Sequence, residues 1–248
     1  MPRRTAEAIV LRTRPIGEAD LIVSFLTETD GKIEGAARSA RKSRRRFGGG
    51  LGPLARGRAI WTESESRELV RLEAFEVTVS FAQRQAELPW FYLFAYLAEV
   101  ADTFAREREP DERFYRLVRA ASDASESGVP PVRVRRWFEI WTLRIQGLLP
   151  DVERCSRCGA RLESGGLALA ALTGEASCAR CRTGFAPGED VIVLAPEDVA
   201  WIRRALRARV EQVPDPPPSP GLGRMVKTLL AGFTDRTFRT ARFLENDR

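Results

Sequence analysis

Apolar and polar positions alternate through the first eighty residues and then change period. Thr5–Arg12 carries Ala6, Ala8, Val10 and their neighbours in a pattern that predicts a first strand. Thr13-Arg14-Pro15-Ile16-Gly17 reads as a connection, with Pro and Gly as breakers, and Glu18-Ala19-Asp20 leads into the apolar run Leu21-Ile22-Val23-Ser24-Phe25-Leu26. Asp30-Gly31 between that run and Lys32–Ala37 is a hairpin signal. Two further strands are predicted over Gly57–Glu63 and Glu68–Val77, joined by a polar hairpin loop at Thr62–Arg67. In the last, Val70, Leu72 and Ala74 share one face with Glu76, opposite Leu69, Arg71, Glu73 and Phe75. Five short strands in about 75 residues predict a small closed β-barrel, for which the OB-fold is the five-stranded type that binds nucleic acid. An SH3-like barrel has the same strand count and fits the pattern equally.

From residue 80 the spacing becomes helical. Trp90, Leu93, Phe94, Leu97, Val100 or Ala101, and Phe104 recur at three and four, with Pro89 in the first turn. Helices are likewise predicted over Asp111–Ser125 (Phe114, Leu117, Val118, Ala121) and Val132–Gly147 (Val134, Trp137, Phe138, Trp141, Ile145). Gly128–Pro131 links these two, and Leu149-Pro150 stops the second. The aromatic stripes predict the core of a helical bundle; the alternative is that part of them lines a groove for an apolar partner tail. Val191–Leu194 reads as a strand and Pro196-Glu197-Asp198 as the start of a helix with Val199, Ile202, Leu206 and Val210 on its buried face. Pro214–Pro220 is a proline-rich spacer, a reading preferred here to an SH3-type ligand. A last helix is expected over Leu222–Phe233, followed by the tail Thr237–Leu244, whose Phe and Leu should dock on the helices.

Charge sharpens this picture. Among 248 residues the net charge is +6, yet residues 1–60 alone hold thirteen Lys/Arg against six Asp/Glu, which accounts for the whole excess. Within that stretch, Arg38-Ser39-Ala40-Arg41-Lys42-Ser43-Arg44-Arg45-Arg46 places six cations in nine residues, followed by Phe47 and Gly48 to Gly50. Like charges at this density do not pack together, so a mobile solvated loop is expected until a polyanion meets it. Arg38, Arg41, Lys42, Arg44, Arg45 and Arg46 are therefore the main candidate contacts to a polyanion, with Arg12, Arg14, Arg56 and Arg58 as weaker ones. All cations except Lys32, Lys42 and Lys227 are arginine. Arginine suits phosphate geometry, and a GC-rich genome accounts for the usage as well.

All four cysteines fall in one region, as Cys155-Ser156-Arg157-Cys158-Gly159 and Cys178-Ala179-Arg180-Cys181, with nineteen residues between the pairs. That spacing fits a four-thiolate zinc site, Cys155, Cys158, Cys178 and Cys181, within an element spanning 153–185. Four thiolates leave no open coordination position, so the zinc would be structural. Disulfides are the competing reading, disfavoured in a cytoplasmic setting. No secretory segment is recognised and no run approaches the roughly 20 apolar residues of a membrane span, which points to the cytoplasm. The chain holds no histidine. The acid pairs Glu18/Asp20 and Glu197/Asp198 sit at a strand entry and a helix start, where structural roles such as capping explain them, so no enzymatic activity is expected.

With these parts in order, the chain resembles the RecO family of bacterial recombinational repair proteins. The resemblance is carried by Ile9–Pro15, Gly17–Val23, Leu26-Thr27 with Gly31-Lys32, the basic Ser39–Arg44, Gly147-Leu148-Leu149-Pro150 before Cys155 and Cys158-Gly159, and Phe243-Leu244. Ala170–Glu175 departs from it, lacking an expected aromatic and double-glycine pattern. The resemblance implies an N-terminal OB-fold over 1–80 and a helical domain over 81–248 that contains the zinc element. It also implies binding of single- and double-stranded DNA, annealing of complementary strands, and work in the nucleoid-associated cytoplasm with RecR and the C-terminal tail of single-stranded DNA-binding protein. Together these help load RecA onto coated DNA in RecF-pathway repair. The alternative reading is an adaptor that chiefly binds that acidic tail in a groove beside the Trp90–Phe104 helix, rimmed by Arg106, Arg133 or Arg136, with DNA contact secondary.

Overall fold

The computed structural model describes residues 2–47, 50–63, 69–162, 166–171, 173–234 and 238–244. Most of the hairpin loop expected at Thr62–Arg67, Gly48, Gly49 and the first residue of the tail, Thr237, lie outside these. The chain forms two compact units, one of Met1–Glu126 together with Phe238–Arg248, the other of Ser127–Thr237.

The first unit is built on five strands, β1 (Arg3–Ile16), β2 (Asp20–Thr27), β3 (Gly31–Ala37), β4 (Arg56–Thr62) and β5 (Val70–Val79). They pair in the cyclic order β1-β2-β3-β5-β4, with β4 returning antiparallel to β1. The seam between β3 and β5 is parallel and short, Gly35 with Val70 and Ala36 with Arg71. This is the five-stranded OB-like barrel that the alternation predicts. Alternate residues point inward, and Val10, Val23, Phe25, Ile33, Ala59, Trp61, Val70, Leu72 and Phe75 fill the interior. Gly31 turns the β2–β3 hairpin at φ 69°, and a Cβ there would strike the backbone of Glu109 at 2.4 Å, so both conformation and space require glycine.

β1 runs further than its pattern suggests. Pro15 and Ile16 belong to the strand, paired with Leu21 and Asp20, so the expected connection at residues 13–17 is the end of a hairpin turned at Gly17. The β4 pairing stops at Ile9, which leaves residues 12–16 an edge facing water on that side, where a proline removes no ladder hydrogen bond.

Against the barrel lie α2 (Leu88–Phe104) and α3 (Glu112–Glu126). The stripe on α2 is core: Trp90, Leu93, Phe94, Leu97, Val100, Ala101 and Phe104 are all buried. Polar ties fix its end to the strands. Ser24 Oγ donates to Asp102 Oδ1 at 2.7 Å, and Lys32 Nζ donates to the Asp102 carbonyl at 2.8 Å. Asp111 Oδ1 accepts the Phe114 N–H at 3.0 Å and so caps α3. The tail returns to this unit as α7 (Ala241–Leu244): Phe243 stacks on Tyr92 at 5.0 Å, Phe238 meets Tyr96 edge-on at 6.1 Å, and Glu99 accepts the Arg239 and Thr240 N–H groups at 2.9 Å each.

The second unit packs α4 (Pro131–Ile145), α5 (Pro196–Ala205) and α6 (Pro220–Thr234) with a three-stranded sheet, β6 (Leu167–Ala170), β7 (Ala176–Ser177) and β8 (Val191–Leu194), ordered β7-β6-β8. Its tryptophans, Trp137 and Trp201 buried and Trp141 half-buried, donate to backbone: Trp137 to the Ala208 carbonyl, Trp141 to that of Ala205 at 3.0 Å, and Trp201 to that of Pro214 at 2.9 Å. The proline segment is thereby pinned, with Asp215 on Arg133 at 3.0 Å and Ser219 donating to Asp198 at 2.7 Å. Glu139 is fully buried on α4 between Arg135 (3.0 Å) and Arg136 (2.7 Å). Among the described residues, no helix is long and apolar enough to cross a membrane.

Candidate nucleic-acid interface and cysteine cluster

The basic segment leaves β3 at Ala37 and crosses the end of the barrel. It is more ordered than like-charge repulsion suggests. The Ser39 N–H donates to Asp20 Oδ1 at 2.7 Å, the Arg41 N–H to the Ala19 carbonyl at 3.1 Å, and the Arg41 guanidinium to the Glu18 carbonyl at 3.2 Å. A single helical turn, α1 (Arg44–Phe47), follows. Its Phe47 is buried in the barrel core, with the Arg46 guanidinium 5.1 Å over the ring. Arg46 also donates to the Arg38 carbonyl at 2.7 Å and to Ser43 Oγ at 3.2 Å. One aromatic anchor thus holds the cationic stretch across the barrel mouth, and the charges face outward because the backbone and Phe47 make the attachments.

The ten candidate cations separate by their partners. Arg12 is held by Glu34 at 2.8 Å and Asp102 at 3.1 Å. Arg56 is largely buried and bridges Asp123 and Glu126, the latter at 2.8 Å. Arg58 pairs with Glu76, whose hydrogen bond and charge raise the pKa of the exposed guanidinium. By contrast, Arg14, Arg38, Arg41, Lys42, Arg45 and Arg46 have no carboxylate at ion-pair distance among the described residues. The Arg44 side chain lies outside the description. The sequence ranks the loop cations above Arg12, Arg56 and Arg58 by charge density, but it does not set Arg14 apart from these three or name the neutralising acids, which stand 18 to 90 positions away and are brought in only by the fold.

The barrel aromatics are not available to bases. Phe25, Phe47, Trp61 and Phe75 each expose 1% or less of their surface. One acid of each pair is engaged structurally. Asp20 holds the Ser39 N–H, and Asp198 is buried at the start of α5, accepting the Ala195 N–H at 2.9 Å together with Ser219.

In the second unit the four cysteines converge. All four sulfurs lie within 4.8 Å of one another, and none is in a disulfide. The Cys158 and Cys178 sulfurs are 3.9 Å apart, against about 3.8 Å for two ligands of a tetrahedral ion with 2.3 Å bonds. Each pair sits on a tight turn: the Gly159 N–H bonds the Cys155 carbonyl at 2.9 Å, with Gly159 at φ 70°, and the Arg182 N–H bonds the Cys178 carbonyl at 3.0 Å. Donors surround the sulfurs. Burial pushes the Cys155 thiol up, but N–H groups of Cys178, Cys158 and Arg157 outweigh it and bring it down to about 6. The Cys181 N–H outweighs burial and, with the Arg180 N–H, lowers Cys178, whereas hydrogen bonding with the Cys158 and Cys178 sulfurs pushes Cys181 up to about 12. Arg157 anchors the first turn by pairing with Glu175 and lying 4.8 Å over the Phe185 ring. This cluster could hold a metal ion, and its donors are the soft thiolates that fit one such as zinc.

An OB-like barrel with a cationic mouth, followed by helices and a four-cysteine cluster, defines the class of protein by its architecture. The comparisons narrow this to one family. Residues 1–81 match the family profile described as recombination protein O N terminal, and residues 85–236 match recombination protein O C terminal. A DNA repair protein RecO of Anaeromyxobacter dehalogenans (strain 2CP-1) is 33% identical over 249 residues, covering 99% of this chain and 97% of the relative. One from Koribacter versatilis is 39% identical over 160 residues, 64% of this chain and 65% of its own. Another from Pelobacter propionicus is 36% identical over 175 residues, 71% of this chain and 70% of its own. The chain belongs to the RecO family of DNA repair and recombination proteins.

Proposed function

We propose that the protein binds single- and double-stranded DNA across the barrel mouth, lets complementary strands anneal, and makes or breaks no covalent bond. The observation that carries this is the contrast in charge. Arg38, Arg41, Lys42, Arg45 and Arg46 keep their charge available, while Arg12, Arg56 and Arg58 are each neutralised by acids of the same unit. Two strands repel through their phosphates, and a surface that offsets that repulsion lowers the barrier to pairing. The burial of all four barrel aromatics favours phosphate contacts over base stacking, and hence little sequence preference. In this reading residues 1–80 are the nucleic-acid domain, and 81–248 the helical domain with zinc element 153–185, whose ion is zinc with a structural role. The partners are RecR and the acidic, apolar-ended tail of single-stranded DNA-binding protein. The outcome is loading of RecA onto coated DNA in RecF-pathway repair, in the nucleoid-associated cytoplasm.

The adaptor role finds support in Leu88 and Phe91, which stand exposed on α2, and in Phe243, exposed on α7. Arg106 is exposed and pairs only loosely with Glu109, whereas Arg133 and Arg136 are engaged by Asp215 and Glu139 in the other unit.

The test is a salt titration of single-strand binding by wild type and by the variant with Arg41, Lys42, Arg44, Arg45 and Arg46 changed to Ala. The variant should bind more weakly, with its log affinity–log salt slope shallower by about 0.7 for each phosphate no longer neutralised. An unchanged affinity and slope would overturn the proposal.

A further inference from the structure

We infer that the tip of the β1–β2 hairpin is an apolar wedge that enters between bases of the bound strand, with Ile16 as the inserting side chain. The inference rests on the DNA-binding reading above and adds to it a contact with bases. The four aromatics of the barrel are buried, so none of them touches a base. Ile16 departs from the rest of the barrel. It exposes 51% of its surface, while the other isoleucines on the barrel strands, apart from the half-buried Ile60, are buried. Pro15 beside it is also exposed, so the tip presents two adjacent apolar residues to water.

The surroundings are those a polyanion would select. Side chains alternate along a strand, so Ile16 shares a face with Arg14, which has no carboxylate partner among the described residues. The basic segment is fastened directly to the hairpin end, through the Arg41 N–H to the Ala19 carbonyl and the Arg41 guanidinium to the Glu18 carbonyl. Ser39 holds Asp20, the residue paired with Ile16 across the hairpin. Asp20 is thereby occupied, which leaves Glu18 as the other acid of the turn. The wedge is braced as well as charged: Gly17 closes the turn at φ 68°, and the three bonds to the basic segment cross-link it. Proteins that deform nucleic acid insert such apolar side chains, Ile and Pro among them, from a cationic element, and offset the cost of unstacking with phosphate contacts. For a strand about to anneal, interrupting the stack would keep bases out of self-structure.

The test uses an oligonucleotide with an internal 2-aminopurine, whose emission rises when its neighbours unstack, and a fluorescein-labelled copy for anisotropy. Wild type should raise the 2-aminopurine signal on binding. Ile16→Ser should lose that rise while still binding, weaker by about fivefold at most because half an isoleucine side chain remains in water, and with an unaltered salt slope. Ile16→Leu should restore the rise. Ile16→Ser raising the signal as wild type does would overturn the wedge and leave the phosphate reading standing, as would a wild-type complex with no rise. Failure of wild type to shift the anisotropy at low salt would instead remove the DNA reading, and the wedge with it.

Discussion

Arg41 and Arg56 stand on one barrel, and their surroundings assign them opposite work. Arg41 uses one hydrogen bond to a carbonyl and keeps its charge outward. Arg56 is largely buried, spans Asp123 and Glu126, and joins β4 to α3. Arg56→Ala should therefore lower stability by about 1–2 kcal/mol, the range for a three-residue ion cluster with one largely buried and two half-exposed members. The salt slope of DNA binding should stay as in wild type; thermal melting and the salt titration read the two quantities separately. The sequence singled out both residues because arginine in a basic stretch is a visible signal. It ranked Arg41 above Arg56 by local charge density alone and could not name the partners, since Asp102 reaches Arg12 across 90 positions and Asp123 reaches Arg56 across 67, and no local pattern encodes such distances.

At the level of elements, legibility follows how locally each element is determined. The strands are set by alternation and by Asp30-Gly31, and the cysteine turns by their own spacing, so both are readable in the chain. Pro15 misleads because proline usually interrupts a strand, whereas here it lies on a stretch that β4 no longer covers. The turn α1 is invisible for a related reason: three consecutive arginines give no reason to be helical until Phe47 finds the barrel interior. The cysteine element allows a quantitative check. With Cys155 at about 6 the thiol is already ionised at pH 8, whereas Cys181, at about 12, is protonated. A lowered value means the proton has left before the metal arrives, and a raised one means the metal must displace it. Zinc titrated into the metal-free protein at pH 8 in weak buffer should therefore release fewer than four protons per ion from the four cysteines, and at least one. A pH-stat or indicator measurement returning four would contradict the ionised Cys155.

For the whole molecule, the charge excess of the first sixty residues and the cysteines near residue 170 place the two conspicuous sites in different compact units. A boundary at the change of period near residue 80 is natural from the sequence, because β-pattern gives way to helix there. The structure shows α2 and α3 clustering with the barrel, since the buried face of α2 has strands to cover and Asp102 has Ser24 and Lys32 to hold. Residues 238–244 cluster with the barrel as well. A chain ending before Phe238 should lack the Tyr92–Phe243 and Tyr96–Phe238 ring pairs and leave Glu99 without its backbone donors, lowering the melting stability of the first unit by about 2 kcal/mol. Equal melting of the truncated and full chains would refute this.

That closing of the tail on α2 has an effect on how the protein is made. A ribosome works in one direction, and domains tend to fold as they emerge. Here the second unit is complete before the first has received its last piece, so the nascent barrel unit waits with Tyr92 and Tyr96 uncovered until Phe238 and Phe243 leave the exit tunnel. Termination just before Phe238 would yield a polypeptide whose cysteine element is intact and whose first unit lacks both ring pairs.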